Sequence, residues 1–185
     1  MKRIIYKLVF FKIMGWSIKG TMDPEIKKSI IIVVPHTSWH DFYIGLFARG
    51  IINLEMNYVA KKELFKFPFG AYFRWMGGAP LNRNSRQNTV EAIAEIFKKR
   101  EIFRLAIAPE GTRKKVSDWK TGFYYIALKA EVPIIPVAFD YATKQVVLHD
   151  AYYPIGDIQK DFTELKSNFK GVAGRIPENG FEITE

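Results

Sequence analysis

The sequence contains no cysteine. Disulfides, thiolate nucleophiles and cysteine metal sites are therefore excluded together, and the composition is compatible with a reducing compartment. Histidine is scarce, at three in 185 residues, and each one needs a reason for its place. Acid is missing from the beginning: "MKRIIYKLVFFKIMGWSIKG" carries Lys2, Arg3, Lys7, Lys12 and Lys19, and the first carboxylate is Asp23. The same stretch lacks the roughly 20 unbroken apolar residues of a spanning helix, because Lys7 and Lys12 interrupt Ile4, Ile5, Leu8, Val9, Phe10, Phe11, Ile13, Met14 and Trp16. It also lacks a small-residue cleavage site, which argues against a signal peptide. Internal repeats and low-complexity segments are absent.

What is present is a chain with 48% hydrophobic residues, enough for one globular domain with a sizeable core. Lys and Arg total 28 against 19 Asp and Glu, a formal charge of +9 that favours phosphate in nucleic acid, anionic lipid or a phosphorylated metabolite. Charge sign alone does not choose among these. The interleaving of lysines with bulky aliphatics and aromatics favours a segment over residues 1–20 that lies on anionic lipid, as a basic amphipathic membrane-associating helix. A first helix packed on the core with solvated lysines is the other reading. A basic nucleic-acid binder would also carry such a charge, but no nucleic-acid motif is present, so no nucleic-acid partner is expected.

Three β-branched runs, "SIIIVVP" at 29–35, "IFRLAIAP" at 102–109 and "VPIIPVAF" at 132–139, have the continuous apolar character of strands buried on both faces, and "QVVLHD" at 145–150 adds a further strand. Helical patterns lie between them. "NTVEAIAEIFKKR" repeats apolar residues at Val90, Ile93, Ala94 and Phe97, with Glu91, Glu95 and Lys99 at i,i+4 spacing outside. "SDWKTGFYYIALKA" reads as a second helix capped by Ser117 or Asp118. Alternating strand and helix predicts an α/β domain over 21–185 with a mostly parallel mixed sheet flanked by helices. The tail "GVAGRIPENGFEITE" reads as a loose end.

In such sheets binding residues gather beyond the carboxyl ends of the strands. His36 follows the first run and "PEGTR" follows the second. In "HTSWHDF", Ser38 and Asp41 have capping-box spacing, which predicts a helix through "WHDFYIGLFAR" that stops at Gly50. Positions five apart within one helix diverge by about 140°, so a His inside the helix would not meet Asp41. A His on the preceding turn can. The carboxylate would then hold one ring nitrogen and leave the other free to take a proton from a hydroxyl. The bland reading makes Asp41 a cap and His36 a satisfied polar residue. His40 and His149 are rival bases, the second more simply a strand-end partner of Asp150. "PEGTR" and "GGAPLNRNSR" offer glycines, Arg83, Arg86 and Arg113 for phosphate, or are charged turns, and Lys61 and Lys62 are a solvated pair.

Taken in order, "HTSWHD", "AKKELFKFPFG", "GGAPLNR", "APEGTR" and "VPIIPVAF" resemble the lysophosphatidate (1-acylglycerol-3-phosphate) acyltransferase family of glycerolipid acyltransferases, over about residues 30 to 140. The resemblance implies a fold of that type with a short N-terminal membrane-surface helix. It implies His36 as general base and Asp41 as its orienting partner. Arg83, Glu110, Gly111, Thr112 and Arg113 would hold the acceptor's phosphate, and the strand from Pro133 to Pro136 would shape the floor or acyl channel. The acceptor would be a lysophospholipid, most simply lysophosphatidate, and the donor a thioester on coenzyme A or acyl carrier protein, with no metal, no bound cofactor and no acyl-enzyme. The implied place is the cytoplasmic face of a membrane, peripheral or monotopic. The second block departs from the usual Ile-Asp-Arg ending, with Asn82 where an acid is customary and Pro80 two residues earlier. That keeps another lysolipid, such as lyso-ornithine lipid, and a non-catalytic basic lipid-binding protein as alternatives.

Overall fold

The computed structural model describes residues 2–61, 66, 70–71, 77–81 and 86–180. Seven strands form one sheet in the order β1-β7-β6-β2-β5-β3-β4: β1 Ser17–Lys19, β2 Lys28–Val34, β3 Asn57–Lys61, β4 Gly78–Leu81, β5 Phe103–Ile107, β6 Ile134–Asp140 and β7 Gln145–Leu148. Strands β6, β2, β5, β3 and β4 run parallel, whereas β7 runs against β6 and takes β1 along with it. The expected α/β class with a mostly parallel mixed sheet is the observed one.

The central β-branched runs became the centre of the sheet because both of their faces are covered. Ile30, Ile32, Leu105 and Ile134 are fully buried on the side of α3 (Arg86–Lys99), α4 (Gly122–Ala130) and α5 (Ile158–Ser167), with Ile93, Phe97, Phe123 and Leu165 packed against them. Ile31, Ile135, Val137 and Phe139 face the other way, toward α2 (His40–Ile52) and the N-terminal segment. Each such side chain contributes about 1.5–3 kcal/mol relative to exposure. The short strands β1, β3 and β4 were not expected. Three to five residues with Gly, Lys or Asn give no apolar run to read, and Pro80 in β4 is tolerated because that strand lies at the sheet edge.

Two helix boundaries and one set of charge pairs differ from the sequence expectation. Gly50 does not stop α2; the helix continues to Ile52 and ends on Asn53 in the left-handed conformation. Gly50 is instead a point of close approach, since a Cβ there would fall 2.2 Å from Tyr6 Cδ2. Helix α4 begins at Gly122, after Thr121, and Asp118 spends its carboxylate on Trp119 N–H and Lys166. In α3, Glu95 pairs with Lys98 rather than Lys99, and Glu91 reaches Lys129 on α4.

Residues 2–20 are partly packed into the fold and partly exposed. Phe10 and Trp16 are buried and β1 belongs to the sheet. Ile4 and Ile13, in α1 (Lys2–Lys7) and the π-helical turn that continues it (Leu8–Ile13), remain 72% and 74% exposed, beside exposed Ile5 and Leu8. Among the described residues no helix is long and apolar enough to cross a membrane. The tail is not a loose end over residues 171–180. Tyr141 N–H donates to Ala173 O, Ala173 N–H to Asp140 Oδ1 and Ile176 N–H to Thr37 Oγ1, so the segment is tied to the turn that carries His36.

Candidate active site

Helix α2 starts directly beyond β2, and the three-residue turn between Pro35 and Trp39 carries His36 at the carboxyl edge of the sheet. His36 Nδ1 lies 3.2 Å from Asp41 Oδ2, with Asp41 in the first turn of the helix. The same Oδ2 accepts the N–H groups of Thr37 and Ser38, each at 2.9 Å, and Oδ1 accepts the Tyr141 hydroxyl at 2.7 Å. The expected capping box is thus half formed: Asp41 reaches back to Ser38 N–H, while Ser38 Oγ takes the His40 N–H rather than that of Asp41. Gly174 packs on this turn so tightly that a Cβ would sit 2.7 Å from Thr37 Oγ1.

Burial alone would raise the Asp41 pKa. The hydrogen bonds from His36, Tyr141 and Ser38 N–H outweigh it and hold the carboxyl below its ordinary value. Asp41 is therefore an anion facing Nδ1, which leaves Nε2 as the nitrogen able to take a proton. The rivals are elsewhere. His40 Nδ1 is engaged by Ser38 Oγ at 2.9 Å and its ring stacks on Trp39. His149 packs edge-on against Phe169, and burial lowers its pKa.

Glu110 does something the sequence did not suggest. It is 1% exposed, and Oε2 accepts the His36 N–H at 2.8 Å while Oε1 has no hydrogen-bond partner among the described residues. The carboxyl after β5 thus grips the turn after β2 from below, and is not displayed for substrate. Burial, helped by the negative charge of Asp41, pushes its pKa up to about 7 despite the His36 N–H. Two carboxyls flank His36, one kept ionised and one driven toward neutrality. The Gly111 N–H closes a turn onto Ala108 O, Thr112 Oγ1 receives Lys114 N–H, and Arg113 is exposed. So the structure brings together His36, Asp41 and Glu110. Thr112 and Arg113 sit on the outer part of the same loop, the Gly111 N–H is already occupied, and Arg83, Asn82 and Lys62 lie outside the described residues.

Beneath α2 a cavity of about 460 Å³ extends from His36 and Asp41 to Met56, ahead of β3. Its walls are the Phe42, Gly45 and Leu46 side of α2 and the sheet residues Ile31, Val33, Ala106, Val137 and Phe139. The size lies within the about 300–1,000 Å³ of ligand sites, and the lining is overwhelmingly apolar. Strand β6 contributes, but through Val137 and Phe139 rather than the Pro133 to Pro136 portion expected.

A family model described as Acyltransferase matches residues 17–140, the span that holds His36, Asp41 and Glu110. The chain belongs to the acyltransferase family. The 1-acyl-sn-glycerol-3-phosphate acyltransferase of Salmonella typhimurium is 32% identical over 134 residues, covering 69% of this chain and 53% of that protein. The human 1-acyl-sn-glycerol-3-phosphate acyltransferase beta is 34% identical over 146 residues, covering 69% and 51%. The chain spans about half the length of these relatives. The crystal structure of the 1-acyl-sn-glycerophosphate (LPA) acyltransferase PlsC from Thermotoga maritima superposes with a TM-score of 0.60 at 23% identity, over 92% of this chain and 76% of that one, which shows the same fold.

Outside the family match, Tyr141 and Gly174 complete the surroundings of the His36 turn. Neither carries a local signal: a Tyr after a strand and a Gly in a polar tail become site residues only when the chain returns to the turn. Replacing Tyr141 by Phe leaves Asp41 Oδ1 without its donor, and should lower kcat by about tenfold with a smaller change in KM; steady-state kinetics check this. For Glu110, the folded protein holds its proton more tightly than the unfolded chain. That stabilisation is complete below the ordinary carboxyl pKa of 4.5 and is lost as pH rises through about 7. Melting temperatures should fall over that interval, and Glu110→Gln, neutral throughout and still able to accept the His36 N–H, should flatten the fall.

Proposed function

We propose that this chain transfers a fatty acyl group from a thioester to the hydroxyl of a lysophospholipid, lysophosphatidate giving phosphatidate. The observation that carries the reading is the His36–Asp41 pair at 3.2 Å, set at the margin of an apolar cavity. Family membership and the activities named for the relatives support the acceptor class. The donor is a long-chain thioester of coenzyme A or acyl carrier protein, whose chain occupies the cavity beneath α2.

In this mechanism Asp41 holds His36 Nδ1–H, and Nε2 takes the proton of the acceptor hydroxyl as its oxygen attacks the thioester carbonyl. The C–S bond of the tetrahedral intermediate then breaks, the ester remains on the acceptor, and the proton passes from Nε2 to the departing thiolate. No covalent acyl-enzyme is involved. Arg113, on the exposed loop beyond Glu110, is suited to the acceptor phosphate because its planar fork matches phosphate oxygens. The exposed apolar side chains of α1 and the turn after it, together with the basic residues among them, suit the cytoplasmic surface of an anionic membrane, where the lysophospholipid acceptor resides.

Acyl transfer from a long-chain acyl thioester to lysophosphatidate in vesicles should be measurable in the wild type, and His36→Ala should reduce kcat by roughly 10²–10⁴ while leaving fold and vesicle binding intact. Equal turnover by the variant would overturn the assignment. Gly45 lines the cavity, with Phe139 Cζ 3.6 Å from where its Cβ would be. Gly45→Leu should therefore shorten the space, lowering kcat/KM for long-chain donors by about tenfold relative to short-chain ones; a chain-length series of thioesters reads this out.

A further inference from the structure

The opposite flank of α2 carries a second, larger concavity, about 850 Å³, which the acyl-transfer reading does not use. The N-terminal segment supplies Met14 and Trp16, the turn just ahead of α2 supplies Trp39, the first turns of α2 supply His40, Tyr43 and Phe47, the β6–β7 turn supplies Tyr141 and Lys144, and the tail closes it with Arg175. Its floor is aromatic, with Trp16 edge-on to Tyr141 at 4.8 Å and Trp39 edge-on to Tyr43 at 5.2 Å. Lys144 and Arg175 are both exposed, and no carboxylate among the described residues lines the groove. Neither cation has an ion pair among the described residues. Trp39 and Tyr43 are 55% and 45% exposed, an unusual allowance for such side chains unless something apolar reaches them.

We propose that this groove is a binding site for an acidic membrane phospholipid, one that tethers the protein and is not itself acylated. The proposal rests on the membrane-surface reading above. Charge complementarity names the headgroup: a phosphodiester or phosphate anion meets Lys144 and Arg175, while the aromatic floor takes the glycerol and proximal chain atoms. Location separates this ligand from the acceptor. His36 lines the cavity on one flank of α2, whereas this flank presents His40, held by Ser38. The groove also continues the exposed apolar surface of the N-terminal segment, since Met14 on its wall follows Ile13, which is largely exposed. A lipid seated here would hold α2 against the bilayer with the catalytic turn at the surface.

The full chain should be titrated with dihexanoyl phosphatidylglycerol below its micelle concentration, read by intrinsic tryptophan fluorescence, beside dihexanoyl phosphatidylcholine. Saturable binding of the glycerol lipid, at least tenfold tighter than the choline lipid, is expected. Lys144→Glu with Arg175→Glu should weaken it tenfold or more, while Lys98→Glu with Lys129→Glu, an equal charge change on the α3–α4 surface, should not. Equal affinity for the two lipids, or equal loss in the two double variants, would overturn the site. Acyl transfer to 1-hexanoylglycerol-3-phosphate should proceed with the glycerol lipid present. Competitive inhibition that vanishes in Lys144→Glu with Arg175→Glu would put the acceptor in this groove and overturn the tether assignment. If no acceptor is acylated under any condition, the acyl-transfer reading fails, and the lipid titration still decides the groove.

Discussion

The carboxylate of Asp41 is 3% exposed and takes hydrogen bonds from Thr37 N–H, Ser38 N–H and the Tyr141 hydroxyl, with His36 Nδ1 as its fourth neighbour. A buried anion left short of donors is costly, so these groups must be delivered together. Delivering them needs the turn after β2, the first turn of α2 and the residue after β6 at one place. That is the arrangement a parallel β2–β6 pair produces, since both strands end at the same edge. The anion in turn fixes which nitrogen of His36 faces outward.

A second constraint acts from below. Glu110 carries the β5 loop under the same turn and holds the His36 backbone, so strands β2, β5 and β6 each contribute one support to a single histidine. The two carboxyls can lie this close because their surroundings differ: among the described residues Asp41 is surrounded by donors and Glu110 has one, with its other oxygen unpartnered in the interior. Helix α2, braced on the sheet by Ile44, Ala48 and Ile51, separates an apolar cavity from an aromatic, cationic groove. The proposed acyl chain and the proposed tethering lipid would then occupy different flanks of the one helix that follows the His36 turn.

Much of this was open to a reader of the sequence. Ile30 to Val34, Phe103 to Ile107 and Ile134 to Phe139 announce central strands because burial on both faces demands unbroken apolar residues. The His36–Asp41 pairing follows from a helix start between them, a local constraint. The short strands β1, β3 and β4 were not read because three to five residues give no apolar run. The end of α2 was misplaced because a glycine needed for contact with Tyr6 looks the same as one needed for a cap.

By itself the sequence determined the fold class, the central strands, the helix that follows His36 and the meeting of His36 with Asp41, since all depend on periodicity or on neighbours within a few residues. Only the tertiary structure decided that Glu110 supports His36 rather than facing substrate, that Tyr141 holds Asp41 across 100 positions, and that residues 173–176 brace Thr37. Those contacts join segments far apart in the chain. Their partners are chosen by where parallel strands end, and no local pattern of residues carries that information.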